Sequence, residues 1–512
     1  MAQLTGNFEG SAGADTFAGS ITPTEQTVVD NVVTGIAVKQ VIIDTFDGAD
    51  TIEATTEVNN GGIADNPAAL FFPRNGIGMT NADINTGSGA DSVNISSDAN
   101  SLVTAISTGL QDSFIETDAG RDTIKVISSA TSGSDLSRPG TTSTGVDFAT
   151  ISAGAGRDTI EVESATTNDR AQGVAESVDV GISQSTLLGD GGADIITVTS
   201  EANGVTSSGG EATSTGADQQ SNIKGGDGSD RISVSAVANG LSRTGGSSSA
   251  IAEGISGGTF VEGNRGADTI TLSAIADAGR VFDSSAGGAI GGPATAYGAI
   301  DSFVRGGDGR DTIDISGTIE SSFSAPNSFA YGVFNTNVDG GNGADTIRIK
   351  AAGSAEATDS TRYGATGSVI SGGLGSDTIE ILVDPSPGVS ESAGVLNSTI
   401  SGGGGSDTIR ISGRGFDIQD SLILGGDGAD TFDTGIGAGT VLGGAGTDTL
   451  KLDFFDQATM SIQQLGENGL EITGTQDKTG ASADWTQKIF EMESYEIAGT
   501  TYNAAGAVSL LS

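Results

Sequence analysis

The chain contains no cysteine and no histidine. Without cysteine there is no disulfide to staple the fold and no thiolate to bind metal or attack a substrate. Without histidine the commonest general base, the commonest zinc ligand and the Ser-His-Asp triad are excluded together. Bases are scarce: 22 Lys and Arg stand against 66 Asp and Glu, a net charge of −44. Phosphate backbones are held by basic surface, so no nucleic acid is expected as a partner. Proline is rare, with 8 residues, and aromatic residues make up 5%. Apolar residues reach 35%, thin for one large core but enough for many small cores stacked in a row. No apolar run approaches the ~18 residues of a membrane span, and none is expected. The opening MAQLTGNFEG has neither the charged nor the apolar region of a cleavable leader, so none is expected there.

Glycine is what the chain has in excess, 82 of 512 residues, and it recurs in a pattern. GGNGADTIRI (340–349) and GGGGSDTIRI (402–411) are two copies of one motif. Aligned on its aspartate, the motif falls at Asp15, Asp50, Asp91, Asp122, Asp158, Asp194, Asp230, Asp268, Asp311, Asp345, Asp377, Asp407, Asp430 and Asp448, each with glycine two residues earlier. After the aspartate the pattern T-I-x-V or T-I-x-I alternates with period two, which makes a strand with Ile and Val inward and Thr outward. The glycines allow positive φ and expose backbone carbonyls. Carboxylate and carbonyl oxygens with no nitrogen or sulfur donor nearby suit Ca²⁺ rather than a transition metal. Cations would also offset an acid excess that otherwise opposes a compact fold. All fourteen aspartates are therefore candidate calcium ligands.

The motif resembles the G-G-x-G-x-D-x-U-x nonapeptide of RTX (haemolysin-type) proteins, which bind Ca²⁺ in a parallel β-roll. Seven copies carry the whole G-G-x-G-x-D core, at 225–230, 306–311, 340–345, 372–377, 402–407, 425–430 and 443–448. Others are eroded, such as TFDGAD (45–50) and TDAGRD (117–122), and the lost glycines weaken the expectation of calcium there. The family's coil is 18 residues, matched only from Asp430 to Asp448; Asp122, Asp158, Asp194 and Asp230 are 36 apart, and intervals shorten after Asp311. One reading is a wide coil per unit with a single column of calcium turns; the other is two narrow coils with one edge degenerate. Fourteen coils at a strand spacing of ~4.8 Å would make a rod on the order of 65 Å long.

The resulting expectation is an all-β chain, a right-handed parallel β-solenoid over 1–452 with enlarged coils and a small C-terminal β cap over 453–512. The ending FEMESYEIAGTTYNAAGAVSLLS resembles the uncleaved C-terminal signal of RTX proteins exported by type I secretion. That resemblance implies a chain unfolded in a low-calcium cytosol and folded outside, at the cell surface or beyond. Nothing ahead of or between the repeats resembles a protease, lipase or pore-forming segment. Repeat-only relatives of this kind suggest a secreted structural protein, not an enzyme, forming a head-to-tail homopolymer or lattice. An adhesin binding cell-surface polysaccharide is the alternative, and a β-helix enzyme acting on polysaccharide is the less favoured one.

Overall fold

A computed structural model describes residues 4–11, 13–21, 27–29, 32–58, 73–133, 140–169, 175–206, 209–242, 248–279, 292–320, 327–354, 360–384, 391–452, 459–497 and 499–511. Its strands form two sheets of 32 and 16 members. The smaller sheet takes one strand from each coil, the T-I-x-I strand that follows the motif aspartate. Thr123–Ser132 pairs in parallel with Thr159–Asp169, aligning Thr123 with Thr159 and Ile124 with Ile160. The larger sheet takes the rest of the coil. In the same turn of the solenoid these are Gly140–Asp147, then Thr150–Ser152 and Ala155–Gly156. One repeat is thus one coil with one aspartate turn, which decides between the two sequence readings.

Alternation along each strand directs its Ile and Val into the slot between the sheets. Ile124, Ile160, Ile313, Ile347 and Ile379 are all at most 1% exposed. The taper read from the spacing appears as shrinking strands. The one after the aspartate has 12 residues at Arg231–Ser242, 9 at Thr312–Glu320, 6 at Thr378–Val383 and 3 at Thr449–Lys451. The far part of the wide coils is filled by small residues, among them Ala236, Ala252, Ala274 and Ala296.

The larger sheet bends at a second corner, and here S-x-I in SNIKGGDG, SVISGGLG and STISGGGG acquires a physical role. The Ser398 hydroxyl donates to Leu396 O at 2.9 Å and accepts the Ser368 amide at 3.1 Å; Ser421 does the same for Gln419 O at 2.7 Å and the Ser398 amide at 3.0 Å. The residue before the serine, or before Thr336 where threonine takes its place, is left-handed: φ is 48° at Gln184, 49° at Asp301, 47° at Asn335 and 49° at Asn397. Asn and Asp tolerate that region better than most residues, which explains their frequency there.

On the outer faces, charges alternate from coil to coil. Asp314, Arg348, Glu380, Arg410 and Asp433 are lateral neighbours, linked at 3.6, 3.7, 3.6 and 3.1 Å. Each pair is solvated and individually weak. Their alternation still matters, because skipping one coil would set like charges side by side.

A polar seam runs inside the N-terminal half. Ser143 donates to Ser128 at 2.7 Å, and Asp179 accepts Ser164 Oγ and Ser200 Oγ, each at 2.6 Å, and the Glu201 amide at 2.8 Å. Asp179 is fully buried, and desolvation pushes its carboxyl up to about 7 despite those donors.

The C-terminal segment is more than a lid. Ser482–Phe490 and Ser494–Ile497 continue the two sheets as a further parallel coil, pairing with Gly437–Gly446 and Thr449–Lys451. Antiparallel strands then cover both edges, Leu470–Gln476 on the larger sheet and Thr500–Tyr502 on the smaller, followed by the helix Ala504–Leu511. The hairpin tip is pinned to the solenoid by Lys478, whose Nζ lies 2.5 Å from the buried Asp417 carboxylate, itself accepting the Gly413 amide at 2.6 Å.

Two outcomes follow. Asp179 titrates higher in the folded than in the unfolded chain, where an aspartate ionises near 3.9. Its contribution to stability is therefore complete below about pH 4 and lost as the pH rises to about 7. In thermal melts, the gap by which Asp179→Asn exceeds the wild type should open across that window and stay constant above it. Replacing Lys478 by Met strands the Asp417 carboxylate and should cost about 3 kcal/mol in denaturant unfolding, with partial recovery on adding Asp417→Asn.

Candidate metal centre: a column of buried aspartates

All fourteen motif aspartates fall in one column, at the corner where the larger sheet hands over to the smaller. Their first role is structural. The amide of each donates to Oδ1 of the aspartate one coil later, from Asp15 to Asp50 at 2.7 Å through Asp430 to Asp448 at 2.8 Å, with no coil skipped. At a corner the strand pairing is interrupted, and a buried amide there needs another acceptor. The carboxylate is that acceptor. The series ends at Glu493, whose Oε2 accepts the Asp448 amide at 2.9 Å. The segment around Glu493 lacks the glycine signature of the repeat, so nothing local marks this residue; its place in the column comes from coil stacking.

The second carboxylate oxygen behaves differently. In twelve of the fourteen residues Oδ2 is buried and has no hydrogen-bond partner: Asp50, Asp122, Asp158, Asp194, Asp230, Asp268, Asp311, Asp345, Asp377, Asp407, Asp430 and Asp448. The exceptions have neighbouring donors. Ser11 donates its amide to Asp15 at 2.6 Å, and Thr86 Oγ1 donates to Asp91 at 2.9 Å. Burial raises the carboxyl pKa from Asp91 to Asp448, to about 6 at Asp122, Asp311 and Asp377 and about 7 at Asp194 and Asp268. Desolvation is the largest cause, opposed by the amide donor and reinforced by the neighbouring aspartates.

The motif's first glycine explains the space beside Oδ2. A side chain at Gly225 would place Cβ 2.5 Å from Asp230 Oδ2 and 2.8 Å from the Gly263 carbonyl. At Gly340 the corresponding distances are 2.9 Å to Asp345 Oδ2 and 2.4 Å to Gly372 O. From Asp194 to Asp448 every coil keeps this glycine cradle. Four N-terminal coils fill it, with Thr45, Thr86, Thr117 or Ala153 at the same position. These threonines are buried and turn their hydroxyls inward: Thr45 Oγ1 donates to Thr86 O, and Thr117 Oγ1 to Ala153 O, each at 2.8 Å. The eroded motifs are therefore a second solution to the same corner.

For Ca²⁺ the donor chemistry fits, since each open cradle is bordered by an unpaired carboxylate oxygen and a main-chain carbonyl, both hard. Acids enter one per coil, and among the described residues no three acidic side chains converge. Carbonyls of the glycine turn would have to supply the rest of a shell of six to eight oxygens.

Comparison with protein-family models and with curated proteins returns no match. The class defined by fold and site is a parallel β-solenoid with a single internal aspartate column. Among the described residues no helix is long and apolar enough to cross a membrane.

Gly340→Ala tests the close packing of the cradle. The added methyl meets backbone that cannot swing away, and a loss of about 1–3 kcal/mol is expected in denaturant unfolding. An unchanged midpoint would show that the cradle is loose.

Proposed function

We propose that the chain is a calcium-dependent structural protein of the extracellular surface, exported unfolded by type I secretion and assembling with its own copies into a layer or filament. The observation that carries this reading is the row of buried, unpaired carboxylate oxygens in glycine cradles from Asp194 to Asp448. A buried carboxylate with no partner opposes folding, and a divalent cation is the counter-charge that carboxylate and carbonyl oxygens select. Binding that occurs only in the folded chain then drives folding. The net charge of −44 fits a chain kept extended until cations arrive.

In this reading the chain's own residues divide the work. Asp194 to Asp448 bind the ions, while Oδ1 of each holds the neighbouring coil in place. Thr45, Thr86 and Thr117 fill the cradle in their coils, and at Asp91 the Thr86 hydroxyl takes the place of an ion at Oδ2. The parallel stack ends at the C-terminal end in antiparallel strands, so a further coil of a second copy cannot continue the aspartate column there, and the long outer faces are the surfaces on which copies meet.

Circular dichroism and negative-stain imaging during a CaCl₂ titration against EDTA test this. The expected result is β signal and ordered polymers appearing together with calcium. Asp311→Asn with Asp345→Asn preserves an Oδ1 acceptor at both coils and removes two charges. It should move the calcium midpoint upward several-fold. Full folding in EDTA, with the double variant at least as stable as wild type, would mean that the column is a hydrogen-bonded ladder that takes no metal.

A further inference from the structure

We propose that the outer face of the larger sheet carries a binding site for a neutral glycan, in the groove between Phe303 and Val369. The site depends neither on the calcium reading nor on the assembly reading. The groove has a volume of about 340 Å³ and is bordered by Asp301, Phe303, Asn335, Asn337, Gly367 and Val369. Phe303, Asn337 and Val369 are consecutive neighbours across three coils. Phe303 and Val369 thus stand two strand spacings apart, about 9.6 Å.

Three features make this a site rather than a dimple. Phe303 and Val369 are 50% and 48% exposed and flank Asn337 from either side, in a column that elsewhere mixes polar residues such as Thr150, Thr186, Asn222 and Thr399 with the apolar Ile42 and Phe114. Phe260 packs on Phe303 from the far side, with centroids 6.4 Å apart, so the ring is steadied and its other side faces the groove. The corner position beside it carries Asp301, Asn335 and Asn397 in three coils but glycine in the fourth. A side chain at Gly367 would meet nothing nearer than Asn335 N at 4.0 Å, and the missing side chain opens the floor.

The polar groups set the ligand class. Asn335 Nδ2 donates to Asp301 Oδ1 at 2.5 Å, which fixes both side chains and leaves further donor and acceptor positions outward. Asn337 is exposed at the centre. Two amides, one carboxylate and an aromatic ring across from an apolar side chain match a pyranose, with its C–H face and its rim of hydroxyls. The border contains no cation, and the chain's net charge is −44, so phosphorylated, sulfated or uronic ligands would be repelled.

The probes are neutral hexasaccharides of glucose, mannose and N-acetylglucosamine, applied to the full chain in calcium after circular dichroism has shown it folded. Saturation-transfer NMR and titration calorimetry read binding. At least one probe should bind, and Phe303→Ala should weaken it about tenfold. Gly367→Asn should do the same by filling the groove, and its fold should hold because Asn335 and Asn397 already take that backbone conformation, with φ of 47° and 49°. Phe114→Ala, at an exposed phenylalanine of the same column in a distant coil, should leave binding unchanged. Absence of binding by all three probes, or binding undiminished in Gly367→Asn, overturns the proposal.

Discussion

The bond from one aspartate amide to the next aspartate's Oδ1 is the constraint on which the rest of the molecule depends. A parallel solenoid pairs its strands readily along flat stretches and loses that pairing at corners. Here the corner falls between the glycine turn and the T-I-x-I strand. The carboxylate restores the missing acceptor in each of thirteen steps between motif aspartates. With that corner fixed, Ile124 must lie over Ile160 and Thr346 over Thr378. The hydrophobic interior and the outer charge ladder inherit their register from it.

Use of Oδ1 for the chain leaves Oδ2 as a liability, and the two halves of the molecule treat it differently. Three N-terminal coils bring a threonine into the corner, whose hydroxyl reaches Oδ2 only at Asp91 and otherwise bonds a main-chain carbonyl, so that Asp50 and Asp122 keep a bare Oδ2 behind a filled cradle. The C-terminal coils keep glycine, leaving a bare oxygen beside a carbonyl. The same position is thus a hydroxyl-filled corner at one end and an open oxygen cradle at the other. That division ties the glycine content to electrostatics, and it gives the proposed calcium dependence a location rather than a general acidity. The serine corner shows the same logic without charge, since a hydroxyl both accepts from the preceding coil and donates within its own.

Much of this was legible beforehand. Period-two alternation after Asp311, Asp345 and Asp377 marks a strand with one buried face, and it is one. The shrinking interval after Asp311 marks a taper, and the strands shorten accordingly. The serine of SNIKGGDG, SVISGGLG and STISGGGG recurs in the sequence, although nothing in one copy says that it bonds two coils. The C-terminal segment was less legible. A small β cap is the expectation for 453–512, while Glu493, Ser482–Phe490 and Ser494–Ile497 complete a coil whose spacing matches no earlier one.

The sequence by itself determined what is local: which residues turn, which face inward, and that one aspartate recurs per unit. These depend on backbone freedom and side-chain alternation over a few residues. Only the tertiary structure decided what each aspartate touches, because its partner in the next coil lies 18 to 45 residues away at intervals that change from coil to coil. The same holds for the groove at Phe303. Its walls come from three coils, and its floor is a side chain absent at Gly367, which acquires meaning only when Asn335 and Asn397 are stacked on either side of it.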